Sequence, residues 1–600
     1  MSSTLAARVR RELLPRVRHP AQYLGNEVNQ LAQPGHWESA EIRVVLAFPD
    51  TYAVGISNLG VQILYWLANH IPGVCAERVY CPQPDAEALM RSRGLPLFTW
   101  DTRQPAASAD LFAVSLQYEL CCTNVLNLLD LAGIPLRAAE RTDNHPLVLA
   151  GGPQADNPEP LAEFLDLVVI GDGERPVAEI VAAVRQFKRE GVGRRAMIPE
   201  LARRFPWLYA PNLYKADYHA DGTLRDLKPT LAGLPPRIER AQTPDLETAP
   251  YPSRPLVPWI PAIHDRIAIE IMRGCPNLCR FCHAGYTKRP LHLRSVERIV
   301  ALAEEGYWAT GHDEIGLLSL STADYPYLHE LAERLNERFA PRMVNLSFPS
   351  LRVDRMLRDI PWLGRSVRKA GLTMAVEAAD DDLRHAIRKK VTDGNLLDGV
   401  RAAYAAGWKR IKLYFMVGFP GERPEDIDRI FDLSCAVSQE RRAVGKPPAA
   451  VTAAVGWLVP KPFTPMQWMA QPRLEYFLEA RQRLTRRAKQ RRSAVSLKMP
   501  RAERAILEGV LARGDRRLGA VIHEAWRCGA RFDGADEAFN PETWQAAFAA
   551  AGLDPAFYAH RERLFSERLP WDHIGLRLTR EFLEKGCREM QARRPTHGQP

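Results

Sequence analysis

Short apolar runs that alternate with helical segments constrain the fold of this 600-residue chain more than any other feature. In the first part of the chain they span residues 42–48, 77–80, 111–116, 147–150 and 167–170. Strands of a parallel sheet read as continuous apolar runs, because helices cover both of their faces. The pattern therefore predicts an α/β fold whose N-terminal domain, residues 41–184, is a Rossmann-like parallel sheet.

Six further runs follow in the middle of the chain, again separated by helical segments. They span residues 267–272, 314–321, 343–348, 372–376, 410–417 and 451–459. Six strand–helix units predict a partial parallel (β/α)6 barrel over residues 263–468. Glycines and polar residues gather after these strands, at the edge where such barrels carry their active sites.

The remaining segments differ in composition. Residues 1–40 form an N-terminal arm with an amphipathic helix near 5–18, and residues 185–262 form a connector rich in proline and charge. Residues 469–600 show no obvious strands and predict a helical domain. Its stretch 473–517 is strongly basic, which is typical of a solvated helix face or of a contact with RNA or another polyanion.

Composition is that of an ordinary globular protein, with 46% hydrophobic and 25% charged residues. No apolar run reaches the roughly 18 residues that a membrane helix needs. The N-terminus is arginine-rich and lacks the apolar core of a secretory signal. We therefore expect a cytoplasmic protein without a membrane partner. The formal net charge of +10 permits an acidic partner but does not require one.

Three cysteines, Cys275, Cys279 and Cys282, lie in one CxxxCxxC loop directly after the first barrel strand. Thiolates at this spacing can bind three irons of an iron–sulfur cube and leave the fourth iron open. A zinc site completed by His283 and a ferredoxin-type cluster are the alternatives. Zinc sites usually combine two close pairs of ligands, and a ferredoxin needs a fourth cysteine, the next of which is Cys435. The spacing favours the open cube.

Glycines follow the last two strands of the first domain, Gly151 and Gly152 after one, Gly171 and Gly173 after the other. Open α/β sheets bind ligands at the carboxyl ends of their strands, and glycine lets the backbone approach a cofactor closely. No GxGxxG motif follows any of these strands, which disfavours a dinucleotide. The glycines thus indicate either another cofactor or simple turns.

The cysteine triplet after the first strand of a partial barrel resembles the radical S-adenosylmethionine (radical SAM) superfamily. The resemblance implies a [4Fe–4S] cluster on the three cysteines, S-adenosylmethionine on the open iron, and a reductant such as flavodoxin or ferredoxin. Reductive cleavage of S-adenosylmethionine would then give a 5′-deoxyadenosyl radical that abstracts hydrogen. In such enzymes the cofactors carry the difficult chemistry and the protein orients them.

The resemblance also assigns residues around adenine. Phe281 occupies the position of an aromatic side chain that contacts the adenine ring. The turn that contains Gly418, Phe419 and Gly421 resembles the one whose backbone approaches adenine after the fifth strand.

Two further strand ends correspond to contacts with the methionine and ribose groups. Ser319 and Ser321 stand where relatives have a glycine-rich turn that holds the methionine amino group. Glu377 ends the fourth strand, where relatives place a polar residue near the ribose or methionine. An ion pair with Arg384 or Arg388 is the alternative for this carboxylate.

In the first domain, the segments 151–153, 157–160 and 171–174 resemble stretches of the cobalamin-binding domain of cobalamin-dependent radical SAM proteins. Tyr52 stands where other cobalamin proteins supply a histidine, so the resemblance implies a base-off cobalamin without a histidine below the cobalt. It also implies a set of residues that line the corrin. They are Asp50, Gly55, Gly151, Gly152, Pro153, Gly171, Gly173 and Glu174.

Four more stretches, 19–27, 460–468, 513–517 and 569–573, resemble one subgroup of these proteins, so the resemblance covers nearly the whole chain. It implies modification of an unactivated carbon, with methyl transfer from cobalamin as the favoured reaction. One alternative is a radical SAM enzyme that rearranges its substrate or inserts sulfur. Another is an RNA- or ribosome-associated iron–sulfur binding protein. The sequence singles out no catalytic residue beyond the cluster loop, and the basic stretch favours an RNA or ribosome-linked substrate.

Overall fold

The computed structural model describes residues 4–348 and 371–592. They form two compact units, each assembled from segments that are distant in sequence. Unit 1 takes its residues from Met1–Asp265, Leu511–Pro555 and Ser566–Gly575, and unit 2 from Arg266–Val510, Ala556–Phe565 and Leu576–Pro600. The segment 469–600 is therefore divided between the two units.

Unit 1 is built on a six-stranded sheet with the order β2-β1-β3-β4-β5-β6. The strands β1 to β5 are parallel, and β6 runs antiparallel to β5. The five predicted strands are confirmed. In a sheet of order 2-1-3-4-5 the connections reverse direction between β1 and β3, and ligands bind at that switch point. The strands are β1 (Ile42–Phe48), β2 (Val74–Tyr80), β3 (Leu111–Ser115), β4 (Leu147–Gly151), β5 (Leu167–Val169) and β6 (Leu208–Tyr209).

The connector forms part of unit 1 and has regular structure of its own. It contains the helix Arg194–Arg204, strand β6 and an antiparallel hairpin of β7 (Tyr214–Tyr218) and β8 (Leu224–Pro229). The predicted helix of the N-terminal arm begins as the α-helix Leu5–Arg8. It continues as the π-helix Val9–Leu13 and the 3₁₀ helix Leu14–Arg16.

The C-terminal segments of unit 1 meet its sheet at a polar cluster around Glu159. The Glu159 carboxylate accepts hydrogen bonds from the Tyr209 hydroxyl (2.7 Å) and the Arg516 guanidinium (2.8 Å). Nε2 of His573 lies 3.6 Å from the same carboxylate. Burial lowers the pKa of His573 to about 4, so its ring is neutral at pH 7 and Arg516 balances the charge of Glu159.

A second contact lies two residues earlier. The Asn157 amide donates to the main-chain carbonyls of Ala512 (3.0 Å) and Gly514 (2.9 Å). The stretches 157–160, 513–517 and 569–573, which are far apart in sequence, therefore meet in one part of unit 1.

Unit 2 contains two parallel sheets, with the orders β13-β12-β9 and β14-β15-β16-β17, and a short antiparallel pair, β10 and β11. The six predicted barrel strands are confirmed, although the first divides into β9 and β10. Strand β17 lies in the segment for which the sequence predicted only helices. The strands are β9 (Ile267–Glu270), β10 (Met272–Arg273), β11 (His292–Leu293), β12 (Glu314–Leu318), β13 (Asn345–Ser347), β14 (Leu372–Glu377), β15 (Arg410–Val417), β16 (Ala450–Trp457) and β17 (Val495–Lys498).

Helices pack on one face of the four-stranded sheet of unit 2. Alternate strand residues such as Leu413, Phe415 and Val455 are buried with Val400 and Phe477 of the helices in one hydrophobic core. The α-helices of the described residues, besides the two named above, are His36–Ser39, Tyr52–Gly55, Leu59–Asn69, Pro84–Arg93, Cys122–Ala132, Glu174–Arg189, His283–Thr287, Val296–Thr310, Leu328–Phe339, Asp381–Ala386, Asp393–Ala405, Pro424–Gln439, Leu474–Gln490, Ala502–Ala512, Leu518–Arg527, Pro541–Ala551, Pro555–Ala559 and Arg580–Gln591.

The basic stretch 473–517 is partly neutralised by ion pairs. Arg483 pairs with Asp428 at 2.6 Å and Arg487 pairs with Asp432 at 2.7 Å. These arginines hold the helix Leu474–Gln490 to its neighbour, which weakens the case that this stretch binds a polyanion. Among residues 4–348 and 371–592, no helix combines the length and the apolar character needed to cross a bilayer.

The Glu159 cluster makes a stability prediction. Glu159→Ala leaves Arg516 without its buried counter-charge, and breaking a buried ion pair costs about 3–5 kcal/mol. Glu163→Ala is the matched control, because Glu163 pairs with Arg137 at 3.1 Å near the surface. That change should cost less than about 1 kcal/mol. Urea unfolding of the full-length protein measures both variants, and equal losses of stability would contradict the buried role of Glu159.

Candidate functional site

The cysteine loop begins at a turn that requires glycine. Gly274 has a φ of +88°, and a Cβ at this position would lie 2.7 Å from the carbonyl oxygen of Lys288. The loop then closes on itself, since the Cys282 amide donates to the Cys279 carbonyl at 3.0 Å and the Gly285 amide to the Cys282 carbonyl at 3.1 Å. The backbone thus holds Cys279 and Cys282 on one turn that leads into the helix His283–Thr287.

The loop after β12 fixes the first cysteine. Nδ2 of Asn277 lies 3.6 Å from Sγ of Cys275 and donates to Oδ2 of Asp324 at 2.6 Å. The Ser321 hydroxyl donates to the same carboxylate oxygen at 2.7 Å. Ser321, predicted from the resemblance as a cofactor contact, therefore acts on the cysteine loop through Asp324 and Asn277.

The segment after the helix Asp381–Ala386 holds the middle of the loop. The Arg280 amide donates to the carbonyl of Ile387 at 3.0 Å, and its guanidinium donates to the carbonyl of Ala386 at 2.6 Å. Sγ of Cys279 lies 3.8 Å from the carbonyl oxygen of Arg388. Three successive carbonyls thus face the loop that carries the cysteines.

Burial favours the protonated form of the Cys279 and Cys282 thiols. It raises the pKa of Cys279 to about 11, and the nearby Lys389 ammonium opposes that rise. It also raises the pKa of Cys282. Metal binding requires thiolates, so loading a cluster must displace these protons.

The donor set suits an iron–sulfur cube better than the alternatives. Each thiolate of a cube binds a different iron. Among the described residues, no three His, Cys, Asp or Glu side chains converge on the position of a single metal ion, as a zinc site would require. Cys435 belongs to the hydrophobic core of the four-stranded sheet, so it does not supply the fourth ligand of a ferredoxin-type cluster.

The C-terminal helix Arg580–Gln591 also contacts the loop, which the sequence did not predict. The carboxylate of Glu589 forms an ion pair with Arg280 and lies 3.4 Å from Arg388. Arg280 is 5% exposed, whereas the Glu589 side chain is 39% exposed, so the pair lies at the edge of the buried region. An arginine between two ligand cysteines is the only local signal in the sequence, and its partner lies more than 300 positions away.

The residues predicted to lie near adenine come together. The rings of Phe281 and Phe419 have centroids 5.9 Å apart at an interplanar angle of 61°. Gly418 has a φ of +113°, and a Cβ there would lie 2.9 Å from the ring of Phe477, so this glycine accommodates a neighbouring side chain. Gly421 also has a left-handed φ, of +80°.

Glu422 stabilises the turn between these glycines. Its carboxylate accepts from the Gly418 amide at 2.7 Å and from the Tyr476 hydroxyl at 2.6 Å. Burial raises the pKa of Glu422 to about 7. The turn is therefore closed by a buried carboxyl group that the sequence-based assignment did not include.

Glu377 forms an ion pair, but with a different partner from the two arginines considered in the sequence analysis. It ends β14 at a bulge with a left-handed φ of +72°, and Nζ of Lys389 donates to its Oε1 at 3.2 Å. The alternative ion pair with Arg384 or Arg388 is wrong. Arg384 instead binds Asp381 and the carbonyl of Ala378. Ser319, the remaining predicted contact, has its hydroxyl 2.9 Å from that of Thr322.

In unit 1, the predicted cobalamin residues after β1 lie close to the switch point. Oδ2 of Asp50 accepts from the Tyr118 hydroxyl, which follows β3, at 2.6 Å. Tyr52 is buried and donates to Glu27 at 3.0 Å, so its side chain belongs to the core. The loops after β1, β3, β4 and β5 contain no histidine.

Four of the glycines predicted to line the corrin lie close to other parts of the same chain. A Cβ at Gly55 would lie 2.4 Å from the Tyr80 ring, at Gly152 2.4 Å from the Leu116 carbonyl oxygen, and at Gly171 2.1 Å from the Ala241 carbonyl oxygen. At Gly173 the nearest atom is a methyl group of Leu64 at 3.1 Å. Chain packing therefore accounts for these four glycines.

The other predicted residues occupy element ends. Gly151 is the last residue of β4, and its carbonyl accepts from the Leu116 amide at 2.7 Å. Pro153 begins the short 3₁₀ helix Pro153–Asp156. Glu174 begins the helix Glu174–Arg189 and accepts from the Thr243 hydroxyl at 3.0 Å.

Two family models match the chain. Residues 60–211 match the model described as radical SAM proteins, N-terminal, and residues 269–434 match the radical SAM superfamily model. The second match contains the cysteine loop and β12 to β15. This chain belongs to the radical SAM superfamily. Enzymes of this superfamily use a [4Fe–4S] cluster, S-adenosylmethionine and an external reductant.

Relatives extend the similarity along the chain. An uncharacterized protein of Methanocaldococcus jannaschii is 26% identical over 481 residues, which cover 80% of this chain and 90% of the relative. The ribosomal protein uS12 methylthiotransferase RimO of Pelotomaculum thermopropionicum is 25% identical over 197 residues, or 29% of this chain and 41% of that protein.

Two solved structures are similar at lower identity. The radical S-adenosylmethionine methyltransferase TsrM of Kitasatospora setae is 15% identical with a TM-score of 0.45, covering 71% of this chain and 75% of that one. The cobalamin-dependent S-adenosylmethionine radical enzyme OxsB is 10% identical with a TM-score of 0.47, covering 92% of this chain and 79% of that one. Both TM-scores are below 0.5, so neither similarity assigns a ligand or an activity to this chain.

The contact between Glu589 and the cysteine loop makes a second prediction. Glu589→Gln removes the charge that balances Arg280, so the loop should open more often and expose a reconstituted cluster to oxygen. We expect the visible absorbance of the cluster to decay several-fold faster in air than in the unchanged protein. Glu584→Gln is the matched control, because Glu584 lies on the same helix and pairs with Arg580 and Arg588. Equal decay in both variants would contradict this role of Glu589.

Proposed function

We propose that Cys275, Cys279 and Cys282 hold the [4Fe–4S] cluster and that the enzyme methylates an unactivated carbon with the help of cobalamin. The assignment of the three cysteines rests on the hydrogen bonds that join the loops after β12 and β14 to the cysteine loop. When bound, the cluster supplies the electron that cleaves S-adenosylmethionine. The chain's own residues hold, orient and shield the reacting groups.

Three groups of residues would perform these tasks. Asn277 and the carbonyls of residues 386–388 orient the loop before a cluster binds. Phe281 and Phe419 offer an aromatic surface for adenine beside the loop. The Glu377–Lys389 pair can exchange its internal hydrogen bond for contacts with a ribose hydroxyl or a carboxylate, since both side chains are mostly but not fully buried.

Cobalamin would bind at the carboxyl edge of the unit 1 sheet. The flavodoxin-like strand order supports this position, because ligands of such sheets bind at the switch point between β1 and β3. Asp50, Gly151, Pro153 and Glu174 would border the site, and the four glycines would shape its loops by letting the chain approach itself. Because no histidine follows these strands, cobalt would lack a histidine ligand from this edge.

The uS12 methylthiotransferase supports a second candidate. Its name describes the transfer of a sulfur-containing group to a ribosomal protein, and it matches 29% of this chain. A radical SAM enzyme that inserts sulfur into a ribosome-linked substrate is therefore the alternative to methylation. The two reactions differ in whether a corrinoid is required.

The proposed cluster ligands make the third prediction. Replacing Cys275, Cys279 and Cys282 together by alanine removes every thiolate of the loop, so anaerobic reconstitution should give no brown chromophore and no bound iron. Cys528→Ala is the control, because Cys528 is exposed in the helical segment of unit 1. Iron and visible absorbance in the triple variant equal to those of the control would overturn the assignment.

Bound corrinoid separates the two candidate reactions. Protein purified from cobalamin-fed cells should retain about one corrinoid per chain, and Asp50→Ala should reduce that content because the carboxylate borders the proposed site. Glu200→Ala serves as the comparison, because Glu200 is exposed and pairs with Arg203 on the helix Arg194–Arg204, outside the proposed corrin lining. Protein that retains no corrinoid after growth with cobalamin would favour sulfur insertion over methylation.

A further inference from the structure

On one face of the four-stranded sheet of unit 2, the strand residues are exposed or half-buried. In β15 the residues Ile411, Leu413, Phe415 and Val417 are buried, whereas the residues between them are exposed or half-buried. Tyr414 is 41% exposed although it lies in the middle of its strand. Parallel sheets are ordinarily covered on both faces. We call the set Thr373, Ala375, Lys412, Tyr414, Thr452, Ala454, Gly456, Ser496 and Lys498 the open face.

Small residues flank Lys412 and Tyr414 on the open face. Tyr414 is in register with Ala375 on one side and Ala454 on the other. Lys412 is in register with Thr373 and Thr452. Interiors of parallel barrels are normally filled by bulky branched residues. The register partners of Tyr414 and Lys412 are thus alanines and threonines, whose side chains are small.

The charge of the open face is positive. Nζ of Lys412 donates to the Tyr414 hydroxyl at 2.7 Å and lies 4.5 Å from the centroid of its ring. Within residues 4–348 and 371–592, no carboxylate lies within ion-pair distance of Lys412, Lys498 or Arg410. The one acidic residue at the end of this face, Glu377, already binds Lys389.

We propose that the open face binds the substrate through an anionic group, a phosphate or a carboxylate, with Lys412 as its counter-charge. This inference names the substrate class and rests on the proposed function only for the chemistry that follows binding. Thr373, the register partner of Lys412, lies four residues before Glu377, a separation of roughly 13 Å along the strand. A substrate held at Lys412 can therefore extend toward the cysteine loop, where Glu377 ends β14.

Tyr414 positions the lysine. Its hydroxyl accepts one of the three ammonium hydrogens at 2.7 Å, which restricts an otherwise flexible side chain. The exposed ring also offers a flat surface to whatever part of the substrate adjoins the anion. Tyr414→Phe keeps the ring and removes only the hydrogen bond.

The test is direct binding of inorganic pyrophosphate to the full-length reconstituted protein, measured by equilibrium dialysis at fixed ionic strength. A charge-assisted hydrogen bond contributes about 1.5–3 kcal/mol, so Lys412→Met should weaken binding by about tenfold or more. Lys412→Arg should restore most of it, and Tyr414→Phe should cause a smaller loss. Lys409→Met should bind normally, since Lys409 is exposed before the strand.

Citrate as a competitor distinguishes the two anion classes. Displacement of pyrophosphate by citrate would show that the site accepts carboxylates as well as phosphates, and failure to displace it would show a preference for phosphates. Equal affinity of Lys412→Met and the unchanged protein, or no saturable binding of either anion, would overturn the proposal. Equilibrium dialysis requires no turnover. Its result is therefore independent of the cluster and corrinoid experiments.

Discussion

Hydrophobic packing between one face of the four-stranded sheet and its helices determines what the opposite face can do. Side chains alternate along a strand, so burial of Leu413 and Phe415 directs Lys412 and Tyr414 to the other side. A register slip of one residue would exchange the two sets, and the apolar set prevents it. The core thus places Tyr414 and Lys412 on one surface, while Glu377 follows a bulge at the end of the neighbouring strand β14.

The cysteine loop is held by contacts from several parts of unit 2. Asn277 links it to the loop after β12, the carbonyls of residues 386–388 face its middle, and Glu589 balances Arg280. None of these residues would be expected to ligate iron. Their arrangement means that the folded chain itself specifies the loop geometry, so a cluster bound there would meet a prepared turn.

Runs of apolar residues predicted the strands well, because such a run indicates that the strand is buried. The five strands of the first sheet and the six of the barrel follow from such runs. Strand β17 was missed because two of its four residues, Ser496 and Lys498, are polar and lie on the open face. The contacts of Glu159 with Arg516 and of Arg280 with Glu589 join residues more than 300 positions apart, so no local pattern could reveal them.

Glycines illustrate a different limit of sequence reasoning. Glycine is needed where a cofactor lies close to the backbone, and it is needed equally where another segment of the chain does. At Gly152 and Gly171 the nearby atoms are backbone oxygens of Leu116 and Ala241. The same residues that suggested a ligand are thus needed for the sheet edge to form, whatever binds there.

The division of unit 1 along the chain affects how the protein is synthesised. Asp265 leaves the ribosome about 250 residues before the segment that begins at Leu511, which amounts to on the order of 10–50 s of translation. Throughout that interval Glu159 and Asn157 lack Arg516 and the carbonyls of Ala512 and Gly514. The nascent sheet must remain soluble with an incomplete edge until its C-terminal segments have been made.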